Sequence, residues 1–474
     1  MKNKINILLI LFAFGLASCE SWIDSEINVD PNQPTNVPVS LILPSAQAGI
    51  AYSAGGELSR YTGYWVQHIT GISTHARRHE TYGTTEADVE NLWKFYTYGG
   101  TLMDLRKAID QATEEGSPHY SGVGKVMMAY KLGVTTDMWG SVPYEDAFLG
   151  DEGNITAEYQ TQEEIYGVLF TLLNEAIAEL DAAESLNSPL SDDLIYRNTD
   201  PEYLPTRLAK WKKAAYSLKA RFSIHLSKVK GDAAYTDALA AIPNAFASND
   251  DNMSFRFGTA KVEEAPLYQY LDQRGGYIGG VGKNLVDLLK NGGDTDPRLP
   301  IYAKPKEDGT YEGFLPGASD PGESEIGEFF AKADALVNLV TYAEVKFIEA
   351  EAYFSKASPE KDKAAEAYND AVKASLAQFG VSDSEWESRN AAETGATITL
   401  DKIMKGKYLA TFLQDETFSD WRRHTDIFNL QLAAGAKTDE IPRRFPYPQS
   451  EREYNVDNMP GGLTLTDRNW WDEE

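Results

Sequence analysis

The sequence predicts a mostly α-helical fold in which helical hairpins alternate with long irregular loops. Beyond residue 40 the apolar residues recur at intervals of three and four, which is the period of an amphipathic helix. Between the helical blocks lie stretches rich in Gly, Pro and aromatic residues, notably residues 253–335. Loops of that length are usually functional or disordered, and the aromatic content argues against disorder. We therefore expect the loops to form a binding surface.

The chain begins with the features of a secretory signal peptide, which we predict over residues 1–18. Two lysines precede an uncharged run of residues 7–16, and small residues follow at positions 17 and 18. A transmembrane helix needs about 20 apolar residues. This run is therefore too short to span a bilayer.

Cys19 is the only cysteine of the chain and follows this segment directly. The order Leu16-Ala17-Ser18-Cys19 is typical of a bacterial lipobox, so we expect the Cys19 thiol to carry diacylglycerol and to become the mature N terminus. Several acyl chains hold a soluble domain at a membrane, whereas one chain binds only marginally. An ordinary signal peptide followed by a chance cysteine is the alternative. A disulfide within the chain is excluded.

Residues 19–40 are predicted to form a lipidated tether, since they are polar and carry prolines at positions 31, 34 and 38. The chain has 72 acidic and 44 basic residues, and its formal charge is -28. Such a charge favours solubility and makes nucleic acid an improbable partner. Length alone would suggest two or three domains.

Two helices are predicted most clearly. Residues 161–184 carry an apolar face from Ile165 to Leu180, and Thr161 with Glu164 supplies a capping box. Residues 358–380 begin with Ser-Pro and end at a glycine, and the preceding segment 341–354 is helical too, so we expect an antiparallel hairpin. Alanines at positions 364, 365, 371 and 374 would let its helices approach closely, as in a tetratricopeptide unit. Further candidate pairs are 86–115 with 121–138, and 161–184 with 206–229.

Four segments in order resemble the SusD/RagB family. They are Thr135–Phe148 (TTDMWGSVPYEDAF), Thr341–Phe354 (TYAEVKFIEAEAYF), Lys407–His424 (KYLATFLQDETFSDWRRH) and Ile441–Asn455 (IPRRFPYPQSEREYN). Members of that family are nutrient-binding outer-membrane lipoproteins of Bacteroidetes. The resemblance implies one mostly α-helical SusD-like domain over residues 41–474, with tetratricopeptide-like hairpins and an irregular ligand-facing half. This replaces the expectation of several domains.

The resemblance also implies a function. A SusD-like lipoprotein lies on the outer face of the outer membrane, captures oligosaccharides or, in some members, peptides, and passes them to a SusC-like TonB-dependent transporter. It is not an enzyme, and no cofactor is implied. Resemblance of fold does not transfer the identity of the ligand.

Candidate ligand-binding residues come from the window 72–96 and from the glycine-rich loops. Sugar capture needs flat aromatic faces for the C–H surfaces of the rings and polar groups for the hydroxyls. In family members the stretch corresponding to this window borders the ligand site. The candidates are His75, Arg77, Arg78, Tyr82, Trp93 and Tyr96, with Tyr277 and Tyr311 from the loops. Arg77 and Arg78 suit vicinal hydroxyls or carboxylates, and a solvated polar turn is the alternative.

Other motifs are better explained by packing than by chemistry. Trp139 lies in a segment that we expect to pack a helix end, and Arg422 and Arg423 are expected in structural ion pairs. His75 and His79 are spaced like zinc ligands on a helix, but two adjacent arginines and the lack of a third ligand disfavour a metal.

The alternative function is a surface glycoside hydrolase, which would use two carboxylates about 5–10 Å apart. With 72 acidic residues such a pair cannot be excluded by counting. Nothing in the sequence marks one, and the chain has neither a GxSxG nor an HExxH motif.

Overall fold

Most of the chain is helical in the computed structural model, which describes residues 37–319 and 322–473. The helices α1 to α19 are, in order, Val39–Ser53, Ser59–Trp65, Thr74–Glu80, Glu90–Trp93, Met103–Glu115, Pro118–Trp139, Gln162–Leu180, Leu204–His225, Ser227–Lys230, Asp232–Ala241, Pro266–Gln273, Lys283–Lys290, Leu299–Tyr302, Tyr342–Ser355, Lys361–Gln378, Ser384–Asn390, Leu400–Ala410, Glu416–Arg423 and Gln449–Tyr454. Two π-helical segments, Ala54–Leu58 and Lys94–Leu102, join helices near the N terminus. The predicted mostly α-helical fold is confirmed.

The N-terminal predictions fall almost entirely outside the described residues. The signal peptide (1–18), the lipidation site Cys19 and residues 20–36 of the tether belong to that part of the chain. Helix α1 begins at Val39, so the last two residues of the predicted tether are helical.

Short strands form three antiparallel pairs. The strands β1 to β6 are Ile69–Gly71, Val142–Pro143, Tyr159–Gln160, Met253–Arg256, Ile278–Val281 and Leu336–Val340. Strand β1 pairs with β5, β2 with β3, and β4 with β6. The region 253–335, which we expected to be irregular, therefore contains two strands and the helices α11 to α13. The β1–β5 pair ties this region to the N-terminal helices.

The capping box that the sequence predicts at Thr161 and Glu164 is present at the start of helix α7. The Thr161 hydroxyl accepts a hydrogen bond from the Glu164 amide at 3.3 Å, and the Glu164 carboxylate accepts one from the Thr161 amide at 2.8 Å. Together they satisfy two amides at a helix start that have no partner within the helix. Helix α7 packs between α6 and α8.

Helices α14 and α15 confirm the hairpin predicted over residues 341–380, since they pack directly on each other. The predicted start of the second helix was two residues early. The amide of Glu360 donates to the carbonyl of Tyr353 at 2.9 Å and folds the linker back, so α15 begins at Lys361. The four alanines of the predicted close approach are buried.

The main hydrophobic core includes residues from Val39 to Trp471, and a smaller second cluster lies between α8, α10 and α14. Trp139 is buried in the main core, its ring centroid lies 5.2 Å from that of Phe445, and its indole N–H donates to the Pro446 carbonyl at 2.8 Å. Two of the four family-like segments meet at this contact, and the packing role predicted for Trp139 is confirmed. None of the described helices is both long enough and apolar enough to cross a membrane.

A buried ion pair joins α18 to α14. The guanidinium of Arg423 donates to both carboxylate oxygens of Glu351, at 2.5 and 2.9 Å, and to Asp420 at 2.7 Å. Burial raises the pKa of the Glu351 carboxyl, but Arg423 and His424 together outweigh this effect and hold that pKa well below its usual range. The structural role predicted for Arg423 is confirmed.

Candidate functional site

A cavity of about 1150 Å³ lies between α1, the segment 194–210 and the β4–β6 pair. Its lining combines aromatic rings, amides and charges. The lining includes Tyr52, Tyr96, Tyr196, Tyr203, Lys210, Asn249, Phe255, Phe257, Leu336, Ala377 and Gln378. A large cavity with apolar walls and a few polar groups is typical of small-molecule sites.

Two tyrosine rings form a platform at one side of this cavity. The rings of Tyr52 and Tyr96 stack with centroids 5.4 Å apart and planes inclined by 30°. Burial, and then the neighbouring Tyr52, raise the pKa of Tyr96, so its hydroxyl is neutral at physiological pH. Stacked neutral rings offer a flat apolar surface with polar edges.

The backbone around both tyrosines has the same unusual form. Tyr52 precedes the first π-helical segment, and Tyr96 lies within the second. A Cβ at Gly100 would lie 2.5 Å from the Phe95 carbonyl oxygen, so this π turn needs glycine there. A Cβ at Gly49 would lie 3.1 Å from the Thr101 hydroxyl, which shows how closely α1 approaches the second segment. Single π turns inside helices occur frequently at functional sites.

A second aromatic group lies along the 194–210 wall. The Lys210 ammonium lies 5.5 Å from the ring centroid of Tyr196 and 5.9 Å from that of Tyr203, and it donates to the Asp250 carbonyl at 2.5 Å. Phe255 and Phe257 of the β4 region pack with their centroids 4.9 Å apart. The cavity thus offers aromatic surface on several walls.

The tyrosine platform continues into a charged cluster outside the cavity. The Tyr52 hydroxyl donates to Gln269 at 3.1 Å, and the buried Arg60 guanidinium lies 4.0 Å from the ring centroid of Tyr270. Burial raises the pKa of the Glu57 carboxyl, and Arg60 partly offsets that rise. This charged cluster, which we call the charged rim, therefore adds polar groups beside the aromatic faces.

None of the three basic candidates of the window 72–96 lines this cavity. His75 is exposed, Arg77 donates to the carbonyl of Ala318, and Arg78 forms an ion pair with Asp88. Arg77 and Arg78 therefore have protein partners already. They hold neighbouring loops together in this structure.

Tyr82 and Trp93 are buried in packing contacts. The Tyr82 hydroxyl accepts a hydrogen bond from the Ala433 amide at 3.1 Å. The Trp93 indole packs edge-on against Trp139 at 5.2 Å and donates to Glu451 at 3.3 Å. Neither ring presents a face to solvent, so neither is carried into the proposed site.

Of the remaining candidates, Tyr96 alone lines the cavity. Tyr277 packs edge-on against Tyr270, with centroids 6.4 Å apart, and thus belongs to the charged rim. Tyr311 is half-buried against the core and does not line the cavity.

Sequence reasoning missed Tyr52, Tyr196, Tyr203 and Lys210. A signal for the first was present, because Tyr52 and Tyr96 both begin the pattern Tyr-x-x-Gly-Gly (YSAGG and YTYGG). Glycine pairs inside amphipathic helices are unfavourable unless the backbone needs them. The 194–210 wall has no comparable signal in the sequence, because its residues reach the cavity only through the tertiary fold.

The arrangement is suited to binding. Its aromatic faces match the C–H surfaces of sugar rings, and its amides and charges match hydroxyls. Among the residues that the structure describes, no group of three or more His, Cys, Asp or Glu side chains could hold a metal ion.

A family model described as starch-binding and associating with the outer membrane matches residues 31–448. No protein of curated function matches the chain significantly.

Solved structures share the fold. One is a chitin-binding protein with 24% identity and a TM-score of 0.75, over 92% of this chain and 100% of that one. Another is a SusD/RagB family protein from Bacteroides thetaiotaomicron, with 23% identity and a TM-score of 0.74, over 92% and 99%. A third is a chitin-binding SusD homologue from Flavobacterium johnsoniae, with 20% identity and a TM-score of 0.72, over 92% and 98%.

Proposed function

Because this chain belongs to the SusD-like family, which is described by starch binding and outer-membrane association, we propose that it captures saccharides at the cell surface and holds them unaltered. The chain is an outer-membrane-associated binding protein rather than an enzyme. The cavity beside the Tyr52–Tyr96 platform is the proposed capture site.

The stacked tyrosines carry this proposal. Their ring centroids lie 5.4 Å apart, with Tyr52 on α1 and Tyr96 on the second π-helical segment, and both border a cavity of about 1150 Å³. Pocket volumes of about 300–1,000 Å³ hold drug-sized ligands, so the space suits a short oligosaccharide. A peptide is the second ligand class, as the family resemblance implies.

We also propose that Cys19 carries the lipid anchor. The lipobox sequence and the proline-containing tether support this, since acyl chains on a mature Cys19 would hold the helical domain at the outer membrane. The acidic surface, with a formal charge of -28, would keep the domain off anionic headgroups.

Family membership further supports a SusC-like TonB-dependent transporter as the partner that receives the ligand. Co-purification from outer membranes tests this part of the proposal. Recovery of a TonB-dependent barrel with the wild-type lipoprotein is expected, and its absence under mild detergent would contradict the partnership.

Calorimetry tests the capture function. The full chain is titrated with maltohexaose, cellohexaose, the hexamer of β-1,4-linked N-acetylglucosamine and hexaalanine, and each mixture is analysed for products. Binding of at least one saccharide with intact recovery is expected. New reducing ends would instead favour a glycoside hydrolase, and binding of hexaalanine alone would favour a peptide receptor.

A further inference from the structure

Arg60 in the charged rim is a buried cation without an ion-pair partner. Only 8% of its surface is exposed, and it forms neither a hydrogen bond nor an ion pair with any of the described residues. Its guanidinium lies 4.0 Å from the ring centroid of Tyr270, and such a contact replaces only part of the lost hydration. Arginine side chains are almost never buried unless they are paired. The N–H donors of this guanidinium therefore need acceptors that the described residues do not supply.

The guanidinium of Arg60 can be reached from solvent. Several polar side-chain atoms of the described residues are both unpaired and shielded from solvent, but no nitrogen of Arg60 is among them. Since these nitrogens are unpaired, they must keep some accessible surface. A ligand oxygen can therefore contact them where a water molecule would.

Glu57 is a neighbouring carboxyl, but it is an incomplete counter-ion for Arg60. Burial raises the pKa of Glu57, and the positive charge of Arg60 offsets that rise only in part. The two side chains form no ion pair with each other. Asp88 also acts on Glu57, but its carboxylate pairs with Arg78. The charge of Arg60 is thus only partly balanced within the rim.

The guanidinium of Arg60 lies beside the tyrosine platform. Burial raises the pKa of Tyr96, and the charge of Arg60 is close enough to oppose that rise. The Tyr52 hydroxyl donates to Gln269, which directly precedes Tyr270, the ring that contacts Arg60. A sugar ring held on the platform would therefore place its substituents next to this cation.

A carboxylate suits Arg60 better than a neutral hydroxyl does. Its two oxygens accept from two N–H groups of the planar guanidinium in parallel, and its charge balances the buried cation. A hydroxyl supplies an acceptor but no charge. The chain as a whole does not attract anions, because its formal charge is -28. A preference for an acidic ligand must therefore come from a local cation.

We propose that Arg60 forms a carboxylate subsite beside the platform, so that the captured saccharide contains uronic acid units. The proposal rests on the proposed function, because the Tyr52–Tyr96 platform must first hold a sugar chain. An acidic peptide also carries carboxylates, but the flat tyrosine platform favours a sugar ring.

Matched pairs of hexasaccharides test the subsite. Maltohexaose, cellohexaose and the hexamer of β-1,4-linked N-acetylglucosamine are each compared by calorimetry with a counterpart oxidised to a carboxylate at C6 of every unit. For at least one pair, wild-type protein is expected to bind the oxidised chain at least about tenfold more tightly, because charge-assisted hydrogen bonds are stronger than neutral ones. Sodium acetate at the same carboxylate concentration should not bind measurably, since it offers nothing to the platform.

Two substitutions of Arg60 and one control accompany the test. Arg60→Met is expected to bring the two affinities within about twofold, because the guanidinium alone contacts the carboxylate. Arg60→Lys keeps the charge but loses the planar fork, so its preference should lie between those of Arg60→Met and wild type. Arg389→Met changes the net charge equally but lies outside the cavity and the rim, so it should keep the wild-type preference. Thermal unfolding of each variant shows that it is folded.

The outcomes separate the subsite from the capture function. Equal affinities of wild type for the two members of every pair, or a wild-type preference in both Arg60 variants, would overturn the subsite and leave saccharide capture standing. Acetate binding as tight as that of the oxidised chains, or tighter binding of hexaglutamate than of every oxidised chain, would overturn it as well. Failure to bind any saccharide, neutral or oxidised, would contradict the capture function itself.

Discussion

Tyr52 and Tyr96 stand 44 positions apart in sequence, yet their rings stack at 5.4 Å, and a Gly-Gly pair within a π-helical segment follows each of them. An undistorted α-helix repeats every 3.6 residues, and a π turn shifts the face on which the following side chains lie. Because Tyr96 lies within the second π-helical segment, we infer that the distortion there helps to set the position of its ring.

Replacing either tyrosine should weaken saccharide binding without unfolding the protein. Tyr52→Ala and Tyr96→Ala each remove one face of the platform, so affinity should fall at least tenfold, which is about 1.4 kcal/mol. Calorimetry measures the loss, and Phe95→Ala is the control because Phe95 is exposed on the same segment and does not line the cavity. Equal losses in the control would mean that the platform is not the site.

A second prediction concerns the backbone beneath the platform. Gly100→Ala places a Cβ 2.5 Å from the Phe95 carbonyl oxygen, so the π segment must rearrange and carry Tyr96 away from Tyr52. We expect saccharide affinity to fall at least tenfold.

Gly167→Ala is the matched substitution, because a Cβ there meets nothing within 4 Å on α7. It should leave affinity unchanged and raise stability by about 0.5–1 kcal/mol. Chemical unfolding and calorimetry on both variants check the pair. Unchanged binding in Gly100→Ala would show that the distortion does not position the ring.

Removing the buried arginine of the core ion pair should be costly. Arg423→Met removes a cation from the carboxylates of Glu351 and Asp420, and breaking a buried ion pair by removing one partner typically costs about 3–5 kcal/mol. Arg389→Met breaks an exposed pair with Asp294 and should cost less than about 1 kcal/mol. Urea unfolding separates these expectations, and similar costs for both would refute a structural role for Arg423.

Glu80 should make stability depend on pH. Burial raises the pKa of its carboxyl to about 8, against weaker lowering by the Gly317 amide and Arg77. The folded protein then keeps a proton that the unfolded chain releases near pH 4.5, so this contribution to stability falls as pH rises from about 5 to 8.

One such proton changes the free energy of unfolding by about 1.4 kcal/mol per pH unit, where Glu80 is fully protonated in the folded state and fully ionised in the unfolded state. Glu80→Gln keeps a carbonyl oxygen for the Gly317 amide but cannot ionise, so the difference in unfolding free energy between variant and wild type should grow with pH. Urea unfolding at pH 5, 6, 7 and 8 measures it. A constant difference would mean that Glu80 ionises normally.

The anchor is tested separately from the binding domain. Cys19→Ala should move the protein from the membrane to the soluble fraction and abolish labelling by radioactive palmitate, while saccharide affinity stays unchanged. Ser21→Ala is the control. Membrane retention of the Cys19 variant would contradict the lipid anchor.

The sequence predicted the helical framework because local signals determine it. The capping box at Thr161 and the apolar face of α7 act over a few residues, and both were found as expected. The wall of the cavity could not be predicted in the same way. Lys210 and Asn249 come from separate segments, and only tertiary packing brings them to one cavity.

Two candidates of the window 72–96 show the same limit. Trp93 and Tyr82 have the residue types of a sugar site, but their rings fill the core. The sequence shows which aromatic residues the chain contains. Only the fold decides which of their rings are exposed, because it sets the neighbours of each ring. Tyr96 differs from Trp93 by three positions, and the π segment turns it towards the cavity.

A crystal structure of the protein with a bound hexasaccharide tests the central claim most directly. We expect an unbroken sugar chain in the cavity, with one ring against the face of Tyr52 or Tyr96. A ligand on another surface with the cavity empty, or a cleaved chain in the cavity, would contradict the account.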